Sequence, residues 1–167
     1  DLEPLGQDQR ESVHHILRGG RHLLDLINEV LDISRIESGT LTISPEAVHV
    51  ADAVTEATAL IAPLAEDRGI RLLVEDGDRH VLADRQRLKQ VLLNLLSNAV
   101  KFNRPDGTIT ISIADATDDG VRVAVRDEGA GIPAAMRDRV FAPFDRLEAE
   151  ATGVEGTGLG LALSKAL

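Results

Sequence analysis

The sequence predicts an α+β protein in which a mixed sheet carries helices on one face and one long helix comes first. Three observations predict it. Apolar residues fall into rows seven apart within residues 8–37, clean alternation marks Thr108–Ile113 and Val121–Val125, and the strands read as hairpins rather than strict strand-helix-strand crossovers. Residues 1–40 and 41–167 are expected to be separate domains.

The first helix is expected from about Asp8 to Glu37, with Asp8 as N-cap, Glu11 reaching back to it and Gly39 just past the end. Its apolar rows are Ile16, Leu23, Val30; Leu17, Leu24, Leu31; and Val13, Gly20, Ile27, continued by Ser34. Three apolar positions per heptad suit a helical bundle, so partner helices are expected from outside this chain. Leu41, Ile43 and then Val48, Val50 read as short strands broken by Pro45. Residues 51–67 read as a helix ending near Gly69. Ile70–Val74 and His80–Ala83 read as strands joined by an Asp76-Gly77 turn. Asp84 caps a strong helix, Arg85–Phe102, and the hairpin 108–125 turns at Asp118-Asp119-Gly120. A short helix follows Pro133, residues 147–157 read as a loop, and another helix begins near Gly158.

Composition narrows the function. The chain has 167 residues, 28 acidic and 18 basic side chains, a net charge of −10 and 2% aromatic residues with no Trp or Tyr. No basic face or stacking platform for nucleic acid follows from that, so nucleic acid is not expected as a partner. Without cysteine there is no disulfide framework, zinc knuckle or thiol nucleophile. No apolar run approaches the roughly 18 to 20 residues of a membrane span, and no signal peptide pattern opens the sequence.

Three segments carry chemistry. Asn94, Asn98 and Lys101 share one face of the helix 85–102, opposite Leu88, Val91, Leu92, Leu95, Leu96 and Ala99. Asparagine is a poor helix former and costly to bury alone, so this face calls for a ligand, an ion or solvent. An amide oxygen can ligate a hard cation such as magnesium, and a lysine can meet phosphate. Next, Asp127-Glu128-Gly129-Ala130-Gly131 places a carboxylate beside glycines that allow a flat ligand to approach, a pattern that as easily makes a plain turn. Finally Gly156-Thr157-Gly158-Leu159-Gly160 leads straight into a helix, an arrangement that favours phosphate. No Gly-x4-Gly-Lys-Ser/Thr loop is present, and neither glycine motif has the spacing of a dinucleotide fingerprint.

The ordered set Asn94…Asn98…Lys101, Asp127-x-Gly129-x-Gly131, Phe141-x-x-Phe144-x-Arg146 and Gly156-Thr157-Gly158-Leu159-Gly160-Leu161 resembles the N, G1, F and G2 boxes of sensor histidine kinases. The helix ending Ile33-Ser34-Arg35-Ile36-Glu37-Ser38-Gly39 is similar to the second helix of that family's dimerisation and phosphotransfer hairpin. The resemblance covers nearly the whole chain. It implies a four-helix dimer stem joined to a two-layer α/β sandwich of the Bergerat type that binds ATP or ADP. It also implies a cytoplasmic location for this part, within a parent protein that is cytoplasmic or membrane-anchored, and a response-regulator receiver domain as partner. Asn98 is then the Mg2+ ligand, Asn94 and Lys101 lie near the phosphates, Asp127 reads the adenine amine and Phe102 flanks the ring. Arg146 approaches the γ-phosphate, residues 147–157 form a lid, and Asn94, Lys101 and Arg146 form the catalytic set. Phe141 and Phe144 are expected as anchors under the lid. Phe102 stands where the family often has Tyr, and Asn103 where a small hydroxyl residue is common. The chain is expected to stop inside the last helix, before the closing strands of that fold.

Two other readings compete. Hydrolysing ATPases of the gyrase and chaperone type share the fold, but their general-base glutamate is replaced here by Asn94, which cannot take a proton. A neutral imidazole needs no such base to act as nucleophile. A non-catalytic module that dimerises and senses ATP is the second alternative. None of the five histidines, His14, His15, His22, His49 and His80, has an acid next to it as the family's acceptor does. The acceptor is therefore expected on a helix that precedes this chain.

Overall fold

A computed structural model of the chain describes residues 6–117, 120–147 and 156–167. Its contacts divide into two units, Asp1–Leu41 and Thr42–Leu167.

In the first unit, helix α1 spans Gln7–Glu37. It starts before the expected Asp8 cap. The N-cap is Gly6, whose N–H donates to Gln9 Oε1 at 3.0 Å. Glycine has no side chain to return the bond, so only half of a capping box forms, and Asp8 falls inside the first turn. The C-terminal end matches the Gly39 signal: Gly39 has φ 65°, and the Thr40 and Leu41 N–H groups donate back to Arg35 O at 2.9 and 3.1 Å. Val13, Ile16, Leu17, Leu23, Leu24, Ile27, Val30 and Leu31 are 40% to 72% exposed. His14 and His15 are exposed as well, and His14 Nδ1 donates to Arg10 O at 2.8 Å.

The second unit runs β1 (Glu46–His49), α2 (Val50–Glu66), β2 (Arg71–Val74), β3 (His80–Ala83), α3 (Arg85–Phe102), β4 (Thr108–Asp115), β5 (Val121–Arg126), a 3-10 turn at Ala134–Arg139 and α4 (Gly160–Ala166). Leu41 and Ile43 lie outside any strand. Pairing begins only after Pro45, where Glu46 meets Ala83.

The expected hairpin at Asp76-Gly77 does not form. β3 pairs antiparallel with β1, and β2 pairs parallel with β4, Leu72 opposite Ile109. β2, α3 and β4 therefore make a parallel crossover, which corrects the expectation of hairpins alone. Gly77 serves packing rather than a primed turn: its φ is not positive, and a Cβ there would lie 2.6 Å from Ile113 Cβ. The β4–β5 hairpin forms as expected, with Ile111 opposite Val125, while its turn residues Asp118 and Asp119 lie outside the described residues.

The sheet β2-β4-β5 is mixed, and its helices cover one face. Ile109, Ile111 and Ile113 point into a core shared with Val54, Ala57 and Ile61 of α2 and with Leu92, Leu96, Ala99 and Val100 of α3. Arg122, Ala124 and Arg126 of β5 are exposed on the other face. Among the described residues no helix is long and apolar enough to cross a membrane.

Both ends of α3 are pinned. Asp84 Oδ1 accepts from Gln86 N and Arg87 N at 3.0 and 3.1 Å, and Oδ2 accepts from Ser44 N at 3.1 Å. The Ser44 bond first, and then those from the helix, hold the Asp84 carboxyl below its ordinary pKa. At the far end Arg68 Nη1 donates to Val100 O and Lys101 O, each at 3.0 Å, against the negative pole of the helix.

Candidate functional site

The pinned helix α3 presents Asn94, Asn98 and Lys101 half-buried on one face, with Leu92 and Leu96 in the core and Leu88 and Leu93 packed against it. That face is not merely solvated, because Asn94 Nδ2 donates to Gly160 O at 3.2 Å and to Ser164 Oγ at 3.3 Å. The first asparagine of the α3 face thus joins the glycine-rich turn at the start of α4.

The Asp127 segment follows β5. Asp127 is exposed, and its Oδ1 accepts from Gly129 N at 2.9 Å, closing an Asx turn. Gly129, expected to let a flat ligand approach, also has a packing role. A Cβ there would fall 2.1 Å from Phe102 O, so glycine lets this loop lie against the end of α3. Gly131 is different, with φ 71° and nothing within 4 Å of a Cβ position, so its backbone faces open space.

Two residues to which the sequence assigned no role hold that loop. Asn103 Oδ1 accepts from Arg104 N at 3.0 Å and Glu128 N at 3.2 Å, and its Nδ2 donates to Thr108 O at 3.3 Å. Glu128 Oε2 accepts from Thr108 N at 3.1 Å and from Arg104 Nη2 at 2.6 Å. The only signal was positional: an Asn directly after a helix, and an acid directly after Asp127.

The third strip joins the aromatic segment to the glycine turn. Phe144 N donates to Gly158 O at 3.0 Å, and a Cβ on Gly158, which has φ 73°, would sit 3.0 Å from the Phe144 backbone and 3.1 Å from Arg146 Cγ. Arg146 is half-buried beside this turn. Between Phe144 and Arg146, Asp145 accepts from Leu147 N at 2.9 Å and from the Arg139 guanidinium at 2.8 and 3.1 Å. The Leu147 bond and then Arg139 lower its pKa. Phe144 and Leu147 take positive φ values of 63° and 51°, which side-chain-bearing residues seldom do.

Phe102, expected to flank the ring, is 48% exposed, and Phe141 and Phe144, expected as anchors under the lid, are 44% and 64% exposed. Lys165 Nζ stands 5.0 Å from the Phe141 ring centroid. Leu159 is fully buried, and its N–H is taken by Thr157 Oγ1 at 3.1 Å. Gly156 has nothing within 4 Å of a Cβ position. Of the lid expected at residues 147–157, residues 148–155 lie outside the described residues.

Contacts therefore bring all four sequence motifs into one neighbourhood: α3 touches the Asp127 loop through Phe102 and the glycine turn through Asn94, and that turn touches the Phe144 segment. The assembled groups are an exposed carboxylate, an aromatic face, amide oxygens and two cationic side chains. They can accept from an amine, flank a flat ring and meet phosphate with its cation.

Residues 83–167 match the family described as histidine kinase-, DNA gyrase B-, and HSP90-like ATPase. The chain is 40% identical over 176 residues to the cell-division control histidine kinase PdhS of Brucella abortus (strain S19), covering 98% of this chain and 17% of that protein. It thus spans about a sixth of that relative's length. The crystal structure of full-length ShkA in complex with AMPPNP superposes with a TM-score of 0.82 at 33% identity, covering 98% of this chain and 34% of that one. Histidine kinase ThkA, solved in complex with the response regulator protein TrrA, gives a TM-score of 0.66 at 25% identity over 86% of this chain and 42% of that one.

Proposed function

This chain belongs to the histidine kinase-, DNA gyrase B- and HSP90-like ATPase family, and we propose that it is the Mg-ATP-binding core of a protein-histidine kinase in two-component signalling. The observation that carries the reading is the gathering of the four motifs around α3, with Asn94 bonded to the turn that opens α4. In this reading Asp127 accepts from the exocyclic amine of adenine with the oxygen its Asx turn leaves exposed, and Phe102 flanks the ring. Lys101 and Arg146 face the phosphates, and the open backbone at Gly131 and Gly156 admits the nucleotide. Gly158 and Gly160 shape the turn, to which Thr157 and Leu159 contribute backbone and a local hydrogen bond.

The donor set fits magnesium brought in by the nucleotide. Among the described residues no group of three or more His, Cys, Asp or Glu could hold a metal ion. Mg2+ commonly takes one or two protein oxygens and completes its shell with phosphate and water, which suits the single amide oxygen of Asn98. When bound it supplies charge neutralisation on the phosphates. The transfer breaks the bond from the γ-phosphorus to the β–γ bridging oxygen, which leaves with ADP, and forms a P–N bond to an imidazole that then gives up its proton. Asn94 cannot take that proton, and a neutral imidazole attacks through its own lone pair, which favours histidine over water as acceptor.

The acceptor histidine is proposed to lie on a stem helix outside this chain, with a response-regulator aspartate as the next station. α1 is proposed to join a homodimeric bundle. The decisive measurement is nucleotide affinity in Asp127→Ala. Loss of a charge-assisted bond worth ~1.5 to 3 kcal/mol should weaken ATP binding at least about tenfold. Unchanged affinity in a folded variant would overturn the adenine assignment. Acid-labile, base-stable labelling of an acceptor helix supplied separately would then distinguish the kinase from a module that only binds ATP.

A further inference from the structure

Asn94 is held by α4 in one orientation, and the residue that holds it is Ser164, which the site as described so far does not use. Ser164 Oγ lies 2.8 Å from Gly160 O, one turn earlier on α4. A carbonyl oxygen only accepts, so the single hydroxyl proton is committed to Gly160. What Ser164 can offer Asn94, 3.3 Å away, is therefore a lone pair, and Gly160 O at 3.2 Å offers the same. Only the NH2 half of the amide can face two acceptors. Turned over, Asn94 would set its own oxygen against both and leave a half-buried amide unsatisfied. Gly160 itself leaves the room for this, since a Cβ there would already touch Asn94 Cγ at 3.4 Å.

We infer that Ser164 is a positioning residue: it locks the Asn94 amide with Oδ1 turned away from α4, as a preset acceptor for the hydrated cation that accompanies the nucleotide phosphates. Water on that cation is a hydrogen-bond donor, so an acceptor oxygen, and not the NH2, is what position 94 must present. The same two lone pairs disfavour a carboxylate at position 94. The inference rests on the nucleotide site proposed above and assigns to it a residue that no sequence motif singled out.

ADP affinity of the full chain, measured by calorimetry with Mg2+ and again with EDTA, tests it in the wild type, Ser164→Ala and Ser164→Thr. In Ser164→Ala the affinity in EDTA should stay within about twofold, while the gain produced by Mg2+ should shrink about fivefold, the weight of one hydrogen bond. Ser164→Thr keeps the hydroxyl and should keep the gain. An equal loss with and without Mg2+, or no loss at all, would overturn the positioning role. A second readout needs no nucleotide: the Asn94 side-chain amide protons should exchange with water faster in Ser164→Ala than in the wild type, and equal rates would show that Ser164 does not hold the amide. A wild-type chain that fails to bind ADP under either condition, with the exchange difference intact, would instead refute the nucleotide reading beneath the inference.

Discussion

Helices α1 and α3 are both amphipathic, yet they end in opposite situations. On α3, Leu92, Leu96, Ala99 and Val100 are at most 5% exposed, buried against α2 and the sheet. On α1, eight large apolar residues remain 40% to 72% exposed. A 3.6-residue period specifies that a helix has a face to bury, and it is silent about what buries it. For α3 the cover lies in the same unit. For α1 it is proposed to be other helices of a dimeric stem. The polar faces differ too. That of α3 carries Asn94, Asn98 and Lys101, poor economy for a helix without a ligand, and its ends are pinned by Asp84 and Arg68 so that those side chains keep their places.

The largest effect should come from hollowing each face in turn. Leu96→Ala should destabilise the second unit by about 2 to 5 kcal/mol in urea unfolding, while Leu31→Ala should leave that transition within about 0.5 kcal/mol. Similar losses from both would erase the contrast between the helices. Next, Leu24→Asp combined with Leu31→Asp places charge in the proposed bundle seam, and sedimentation should show any self-association weakened at least about tenfold with ADP affinity unchanged. If nucleotide binding fails along with association, α1 belongs to the ATP-binding core and the boundary near residue 40 is misplaced.

A smaller loss, about 1 kcal/mol, is expected from Asp84→Ala, which removes the N-cap of α3 and its tie to Ser44. Because the folded-state pKa of Asp84 is lowered, its contribution is present above the unfolded value of about 3.9 and is lost as pH falls through the folded value. The acid limb of a stability profile should flatten in the variant. The smallest effect concerns His49, at the junction of β1 and α2. Its Nδ1 meets Asp52 at 3.1 Å and its Nε2 meets Asp78 at 3.0 Å, and these carboxylates, Asp52 foremost, raise its pKa. The pairing should be fully present below about pH 6.5 and fade as pH rises through the raised value. His49→Gln should abolish that slope in Tm between pH 6 and 9, and an unchanged slope would assign the titration to another group.

The limits of α3 were readable because every signal was local: Asp84 before the first turn, leucines at helical spacing and Lys101 at the end. The hairpin of β4 and β5 was equally plain from alternation and a short polar turn. The four motifs were readable because each needs its residues close together in sequence. The Asp8 cap was misread although it too is local, since Gly6 and Gln9 formed a competing half-box two residues earlier.

The sequence by itself determined most of the helices and strands, though not the fate of Leu41 and Ile43, and it determined which residue types carry the chemistry, because these depend on neighbours within a turn or a strand. Only the tertiary structure decided that β2 pairs with β4, that Gly77 and Gly129 are glycine because Ile113 and Phe102 crowd them, and that Asn103, Glu128 and Ser164 brace the site. Those outcomes turn on groups far apart in the chain meeting within hydrogen-bond or van der Waals reach. A hydroxyl on α4 acquires meaning only when an asparagine 70 positions earlier is folded against it.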